Sequence, residues 1–164
     1  MIRIKESGMT FGPYPAEACY KIEHSSGHLS LGENFKIVEF TYFEEVKLKL
    51  WFIEAKSTIP KDTVKYFDEL FEKFENSLLL HAMGKLKRNQ SVIDELPDHM
   101  ASMNWQTVKF NLRLVIPEIP KEFLPQATDK LRQRLVKISK MWNFDLMDIK
   151  VINKDLARRE GLIE

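Results

Sequence analysis

The sequence predicts a domain of the α/β or α+β class, in which a single mixed β-sheet with an antiparallel hairpin is flanked by two long helices. Two observations predict this class. Three strand-like runs come first along the 164-residue chain, and two long segments with apolar residues at helical spacing follow them, each succeeded by another strand-like run. The order of three strands, helix, strand, helix, strand is typical of helices packed on one shared sheet.

The three strand-like runs cover residues 18–24, Phe35–Tyr42 and Val46–Lys56, and the last two are rich in β-branched and aromatic residues. Because these two lie close together in the chain, we expect them to pair as an antiparallel hairpin. Residues 7–15 precede all three runs. They contain two glycines and two prolines, which indicates an ordered loop.

The first long helix is predicted from Pro60 to about residue 80. Its apolar side chains recur at spacings of three and four residues, as one face of a helix requires: Val64, Phe67, Leu70, Phe71, Phe74 and Leu78. Pro60 and Asp62 suit its first turn, where proline needs no hydrogen-bond partner and a carboxylate meets the positive end of the helix dipole. Residues 84–106 are polar and irregular, which predicts a loop with a short helix near Val92–Leu96.

The C-terminal part of the chain continues the alternation of strand and helix. Val108–Ile116 alternates between apolar and polar residues, which predicts a strand that ends at the prolines beyond it. A second long helix is predicted over about 121–142 and a last strand over Leu146–Ile152. The tail 153–164 is expected to contain a short helix.

Composition excludes several classes of protein. The chain carries 25 basic and 24 acidic residues, so its net charge of +1 argues against steering of the whole molecule towards nucleic acid or an anionic membrane. The single cysteine excludes an internal disulfide and a multi-thiolate zinc site. No apolar run approaches the ~18–20 residues that span a bilayer, and the N-terminus lacks a signal-peptide pattern. We therefore expect a cytoplasmic protein with no membrane partner.

Two charged residues occupy positions where alternation predicts burial. Glu54 and Lys56 end the row of even-numbered residues that faces the core in the strand Val46–Lys56. Burying a charge is costly unless it is paired or bound to a metal. Glu39 lies on the core face of the preceding strand. A four-residue loop, Glu44 to Lys47, would place Glu39 opposite Phe52 and diagonal to Glu54, near enough for the two carboxylates to share a cation.

A pair of carboxylates with a lysine two residues further on suits a hard divalent cation. Mg²⁺ takes few protein carboxylates and fills its other sites with waters and phosphate oxygens. Such a metal would polarise a phosphodiester and acidify a bound water. Lys56 would orient that water or stabilise the charge that develops on phosphorus.

These residues resemble the PD-(D/E)xK motif of the restriction-endonuclease-like nucleases: Glu39 lies fifteen residues before the triplet Glu54-Ala55-Lys56. The resemblance implies that Glu39 and Glu54 bind Mg²⁺ or Mn²⁺ with help from the backbone carbonyl of Ala55, and that Lys56 is catalytic. The family often adds an upstream glutamate, for which Glu23 is our choice and Glu17 the alternative.

The resemblance also implies a fold and a function. The family's core of helix, three strands, helix and strand would cover residues from about 14 to 116 of a single domain 1–164, and residues 117–164 would be peripheral. The implied activity is hydrolysis of phosphodiester bonds in nucleic acid, DNA more than RNA. A chain this small would act as a homodimer or within a larger assembly, and mobile-element or antiviral defence would be a natural setting.

Two other features leave alternatives open. Glu45-Val46-Lys47 and Asp148-Ile149-Lys150 are also acid-x-Lys triplets, but the first falls in the expected hairpin loop and the second lacks a preceding strand with a matching acid. The predicted helix 121–142 has a local charge of +4, which makes Lys130, Arg134 and Lys137 candidates for contacts with nucleic-acid phosphates. The alternative to a nuclease is a non-catalytic structural or interaction subunit, or a nucleic-acid-binding protein with the same fold.

Overall fold

The protein is described by a computed structural model that covers residues 1–32 and 34–164. The strands are β1 (Ile2–Glu6), β2 (Met9–Tyr14), β3 (Cys19–Tyr20), β4 (Phe40–Glu44), β5 (Lys49–Ala55), β6 (Lys109–Val115) and β7 (Ile149–Ile152). The α-helices are α1 (Ser26–Leu31), α2 (Thr63–Lys85), α3 (Gln90–Glu95), α4 (Asp98–Ser102), α5 (Leu124–Trp142) and α6 (Lys154–Arg159). Among the described residues, no helix is long and apolar enough to cross a membrane.

Five strands form one mixed sheet in the order β3-β4-β5-β6-β7. β4 runs antiparallel to β3 and β5, whereas β5, β6 and β7 are parallel to one another. Parallel neighbours need a crossover connection, which α2 supplies between β5 and β6 and α5 supplies between β6 and β7. The carboxyl ends of the three parallel strands and the amino end of β4 therefore meet at the same edge of the sheet.

Both faces of this sheet are covered. Helices α2 and α5 pack on one face, where the main core includes Leu50, Phe52, Leu70, Phe74, Leu112 and Leu131. The β1–β2 hairpin and α6 cover the other face, where a second core includes Phe11, Phe40, Trp51, Ile53, Ala157 and Ile163. Because both faces are covered, β5 is buried at every position from Leu50 to Ala55, as is typical of a central strand with a parallel neighbour.

The predicted mixed sheet, its antiparallel hairpin and the two long flanking helices are confirmed. The loop predicted over residues 7–15 is wrong, because Met9–Tyr14 forms β2 in a separate two-stranded antiparallel sheet with β1. The connecting residues Ser7 and Gly8 have φ angles of 48° and 75°. Positive φ at both central residues is the geometry that lets a two-residue turn join antiparallel strands.

The first strands of the main sheet are shorter than predicted. Of residues 18–24 only Cys19–Tyr20 pair as a strand. The strand predicted over Phe35–Tyr42 begins instead at Phe40. Ile37 and Val38 are consecutive residues that are both buried in the main core, whereas consecutive residues of a strand point to opposite faces of the sheet. The strand predicted over Val46–Lys56 begins at Lys49, because the preceding residues form an exposed loop.

The helices agree more closely with the prediction. Helix α2 begins three residues after Pro60, where Asp62 caps it by accepting a hydrogen bond from the Lys65 backbone N–H at 3.1 Å. Helix α5 covers most of 121–142, and β6, β7 and the short helix of the tail lie within their predicted segments. β7 is shorter than predicted because residues 146–148 form a 3-10 turn.

Helix α5 also protects the outer edge of β7. The backbone N–H of Val151 donates to Thr128 Oγ1 at 3.0 Å, and Arg132 Nε donates to the carbonyl of Ile149 at 3.0 Å. Pairing of this kind blunts a sheet edge that would otherwise expose free backbone groups. Arg132, one of the basic residues of the helix, therefore has a structural contact within the protein.

Candidate functional site

The sheet brings the predicted acidic residues together in a register different from the expected one. We expected Glu39 opposite Phe52, but Thr41 occupies that position. The hairpin loop consists of residues 45–48, since Glu44 already pairs with Lys49. This two-residue shift carries Glu39, which directly precedes β4, to the end of β5. There the charge of Glu54 acts on its carboxyl group.

Glu54 lies at the centre of a buried charged cluster. Its side chain is fully buried, and Oε1 lies 3.1 Å from Lys56 Nζ and 2.8 Å from Lys73 Nζ. Both carboxylate oxygens are buried, and neither has a hydrogen-bond partner of good geometry among the residues that the structure describes. A buried carboxylate oxygen without a partner is costly, so its presence requires an explanation such as a bound ion or a catalytic role.

Glu23 and Glu39 form a carboxyl pair next to Glu54. The backbone N–H of Glu23 donates to the carbonyl of Glu39 at 3.3 Å. Burial and the neighbouring carboxyl groups of Glu23 and Glu54 raise the pKa of Glu39 to about 9. Partial burial opposes ionisation of Glu23, but the neighbouring carboxyl group of Glu39 and the charge of Lys73 outweigh it and lower the pKa of Glu23. Glu39 is therefore the protonated member of this pair at neutral pH.

Helix α2 contributes two residues that the sequence analysis missed. Lys73 Nζ contacts Glu54 and also lies 3.7 Å from Glu23 Oε1, with a side chain only 12% exposed. Tyr66 is buried, its hydroxyl has no hydrogen-bond partner among the described residues, and Glu54 contributes to the rise in its pKa, although burial contributes more. Both lie on the helix stripe that includes Leu70 and Ser77. Polar residues within this largely buried stripe were the signal available in the sequence.

Lys73 and Lys56 differ in their burial. Burial disfavours the charged form of Lys73, but the attraction to the charge of Glu54 outweighs burial and raises the pKa of Lys73. Burial likewise raises the pKa of Glu54, while the two ammonium groups oppose that rise. Lys56 is 36% exposed, so it lies where solvent or a substrate can reach it.

The remaining predicted site residues lie outside the cluster or contribute only backbone. Glu17 is exposed on the 3-10 turn Ala16–Ala18, whereas Glu23 joins Glu39. Ala55 is the last residue of β5, and its side chain packs in the second core on the opposite face of the sheet. The role predicted for its carbonyl therefore involves the backbone alone and stays a prediction.

The basic residues of α5 differ in their surroundings. Arg134 Nε donates to Asp68 Oδ1 of α2 at 2.7 Å, so this residue is already paired. Lys130 is half-buried beside Thr63 and Phe67, and Lys137 is exposed. Neither lysine forms an ion pair within residues 1–32 and 34–164. Contacts of the three residues with nucleic acid stay a prediction.

The cluster fits a hard cation in its donor types. In the described part of the chain, no three acidic, histidine or cysteine side chains converge closely enough to hold a metal by themselves. Mg²⁺ needs only one or two protein carboxylates, because waters and phosphate oxygens complete its octahedron. Glu54, with its buried oxygens, and the neighbouring Glu39 are two carboxyl groups of the type that such an ion takes.

Comparison with known proteins does not assign a family. No protein-family model matches the chain, and neither the curated proteins nor the solved structures include a significant match.

Proposed function

We propose that this protein is a metal-dependent nuclease that hydrolyses phosphodiester bonds in DNA at a PD-(D/E)xK-like site. The observation that carries the proposal is the convergence of Glu23 and Glu39 on the end of β5, where Glu54 and Lys56 lie. Elements distant in the sequence supply these residues. The charges of Glu23 and Glu54 disfavour ionisation of Glu39, and a divalent cation would relieve that repulsion.

The order of elements further supports a restriction-endonuclease-like fold. A short 3-10 turn, the strands β3, β4 and β5, helix α2 and strand β6 follow one another as in the family's core, with α1 inserted between β3 and β4 and two short helices between α2 and β6. The candidate site lies at the carboxyl ends of the parallel strands. In open α/β sheets, this is the edge at which ligands commonly bind.

The residues divide the chemistry between them. Glu39 and Glu54 would hold Mg²⁺ or Mn²⁺, with the backbone carbonyl of Ala55 as a further ligand. The metal would polarise the phosphodiester and lower the pKa of a bound water. Lys56, half-exposed beside Glu54, stabilises negative charge on the phosphate oxygens and orients the attacking water. Glu23 would position Glu39 through the backbone hydrogen bond from its N–H to the carbonyl of Glu39.

A cleavage assay on plasmid and single-stranded DNA with Mg²⁺ or Mn²⁺ tests the proposal. We expect Glu54→Gln and Lys56→Met each to reduce the rate at least about 100-fold, as loss of a group that stabilises the transition state does. The matched controls are Glu45→Gln and Lys47→Met, which alter the acid-x-Lys triplet of the exposed hairpin loop. All variants should melt cooperatively, so that loss of activity is separated from loss of fold.

A non-catalytic subunit is the second candidate, and one observation favours it. Lys56 and Lys73 both contact the same oxygen of Glu54, so the cluster already contains counter-charges. Absence of cleavage with every metal, together with no rise in melting temperature on adding Mn²⁺, would contradict the nuclease and favour this alternative. A nucleic-acid-binding protein without catalysis would instead bind DNA in a salt-dependent manner, with an affinity unchanged by Glu54→Gln.

A further inference from the structure

Lys73 occupies a position that the motif does not require. The acid-x-Lys pattern supplies one lysine, Lys56, yet a second ammonium group reaches Glu54 from helix α2 at the shorter distance of 2.8 Å. Lys73 also lies 3.7 Å from Glu23, and the charges of all three glutamates act on it. Its ammonium group therefore lies among the carboxyl groups that would ligate a metal.

We propose that Lys73 is a resident counter-ion that competes with the divalent cation for Glu54, so that the charge of its ammonium group weakens metal binding at this carboxylate. The inference rests on the proposed metal site, and it identifies the residue that regulates loading of that site. Within the cluster, its ammonium group supplies a counter-charge to both Glu54 and Glu23.

The charges of the cluster support this competition. Two ammonium groups already lie 3.1 and 2.8 Å from Glu54 Oε1, so a divalent cation at this carboxylate would add two positive charges beside theirs. Without the charge of Lys73, the same cation would meet one ammonium group fewer. Charge imbalance is most costly where the groups are buried, and Glu54 is fully buried. Removing the charge of Lys73 should therefore strengthen metal binding.

Contact geometry points in the same direction. Lys73 Nζ lies 2.8 Å from Glu54 Oε1, yet neither oxygen of this buried carboxylate has a hydrogen-bond partner of good geometry in the described part of the chain. Lys73 therefore places a positive charge where the metal's charge would act, without satisfying the carboxylate.

Calorimetric titration of the full chain with Mn²⁺ alone, after removal of metals by a chelator, tests the inference. The variants are Lys73→Gln, which keeps an N–H donor for Glu54 but no charge, and Lys73→Arg, which keeps the charge. The matched control is Lys65→Met, an exposed lysine on the same helix. Partner substitutions around metal sites change affinity by about 10–100-fold. We expect Lys73→Gln to lower the Kd for Mn²⁺ about tenfold, with Lys73→Arg and Lys65→Met close to wild type.

Thermal melting with and without Mn²⁺ gives a second readout that does not depend on activity. If Lys73→Gln is destabilised, Mn²⁺ should raise its melting temperature more than that of wild type, because a ligand of the folded state adds a stability that increases with the logarithm of its concentration divided by Kd. An unchanged or weaker affinity in Lys73→Gln overturns the inference, and so does a failure of every variant to bind Mn²⁺. Tighter Mn²⁺ binding by Lys73→Gln with no DNA cleavage by any protein would refute the nuclease but sustain the counter-ion role.

Discussion

Two neighbouring strands of the sheet each bury a charged residue near their carboxyl ends, and their surroundings differ. On β6, Arg113 donates from Nε to Glu160 Oε2 at 2.6 Å and from a terminal nitrogen to the carbonyl of Asp148 at 2.6 Å. Its guanidinium also lies over the Trp51 ring at 4.8 Å. On β5, Glu54 has two cations at one oxygen and no hydrogen-bond partner among the described residues at the other.

This difference separates a structural ion pair from a candidate site. Arg113 has one carboxylate opposite one guanidinium, and backbone carbonyls accept from the remaining donor, so its contacts join α6 to the sheet. The Glu54 cluster instead brings like charges together and leaves a carboxylate oxygen unsatisfied. Buried charge alone is therefore not evidence of function. Two features are informative: repulsion among neighbouring carboxyl groups that the cations of the protein do not cancel, and a buried carboxylate oxygen that has no hydrogen-bond donor among the described residues.

The largest expected effect on stability is at Arg113. Arg113→Met should lower the free energy of unfolding by about 3 kcal/mol, because breaking a buried pair leaves one charge uncompensated. Glu160 is 22% exposed and gains some hydration, so the loss should lie at the lower end of the range for buried pairs. Urea unfolding measures this change. Mn²⁺ should raise the melting temperature of Arg113→Met as much as that of wild type. Loss of that rise would contradict the distinction between a structural ion pair at Arg113 and a candidate metal site at Glu54.

A smaller effect with a distinctive pH dependence is expected at Glu39. Its pKa is raised from 4.5 to about 9 in the folded protein, so between these values the folded state binds more protons than the unfolded state. Stability of the metal-free protein therefore falls as pH rises through this window. Glu39→Gln removes the cost. It should melt higher than wild type at pH 8, by roughly 3 °C, which corresponds to about 1 kcal/mol in a domain of this size.

The control for this measurement is acidic pH. Near pH 4.5 and below, Glu39 is protonated in the folded protein and increasingly so in the unfolded chain, so the two melting temperatures should converge. Glu17→Gln, at the exposed alternative position, should show no pH-dependent difference from wild type. A constant gap between Glu39→Gln and wild type across the whole range would show that the carboxyl pair does not bind the extra proton.

The smallest effect is expected at the surface pair of Arg134 and Asp68. Their side chains are 37% and 59% exposed, so solvent screens the attraction although the contact is 2.7 Å. Arg134→Ala should change the free energy of unfolding by at most about 0.5 kcal/mol, with Lys137→Ala as a control on the same helix. A loss as large as that of Arg113→Met would mean that burial does not decide the value of ion pairs in this protein.

Part of the candidate site could be predicted from the sequence because its signals are local. Alternation along β5 identified Glu54 as a charge in a core-facing row, and Lys56 follows two residues later. The spacing of apolar residues at intervals of three and four predicted α2, but polar residues at the same spacing were not considered. Lys73, on the same largely buried stripe, was therefore overlooked.

The position of Glu39 relative to Glu54 was not predictable in the same way. The hairpin loop was expected at Glu44–Lys47 and lies one residue later, and this small change moves the pairing by two residues, or about 7 Å along the strand. Local propensities barely distinguish such loops. Burial of Phe40, Ile53 and their neighbours against the β1–β2 hairpin favours one of them.

The sequence by itself determined the mixed sheet with its two long helices, and it also determined the pairing of an acid with a lysine at the end of β5. Both features depend on the spacing of residues that are close together in the chain. Only the tertiary structure decided which distant groups surround that pair. Glu23, Glu39 and Lys73 come from three separate segments, and sheet register and helix packing bring them to Glu54. The physical reason is that strand register and helix packing depend on the apolar surface that is buried over the whole domain. The positions of the charged groups follow from that packing, and their pKa values depend on the residues that surround them in the folded protein.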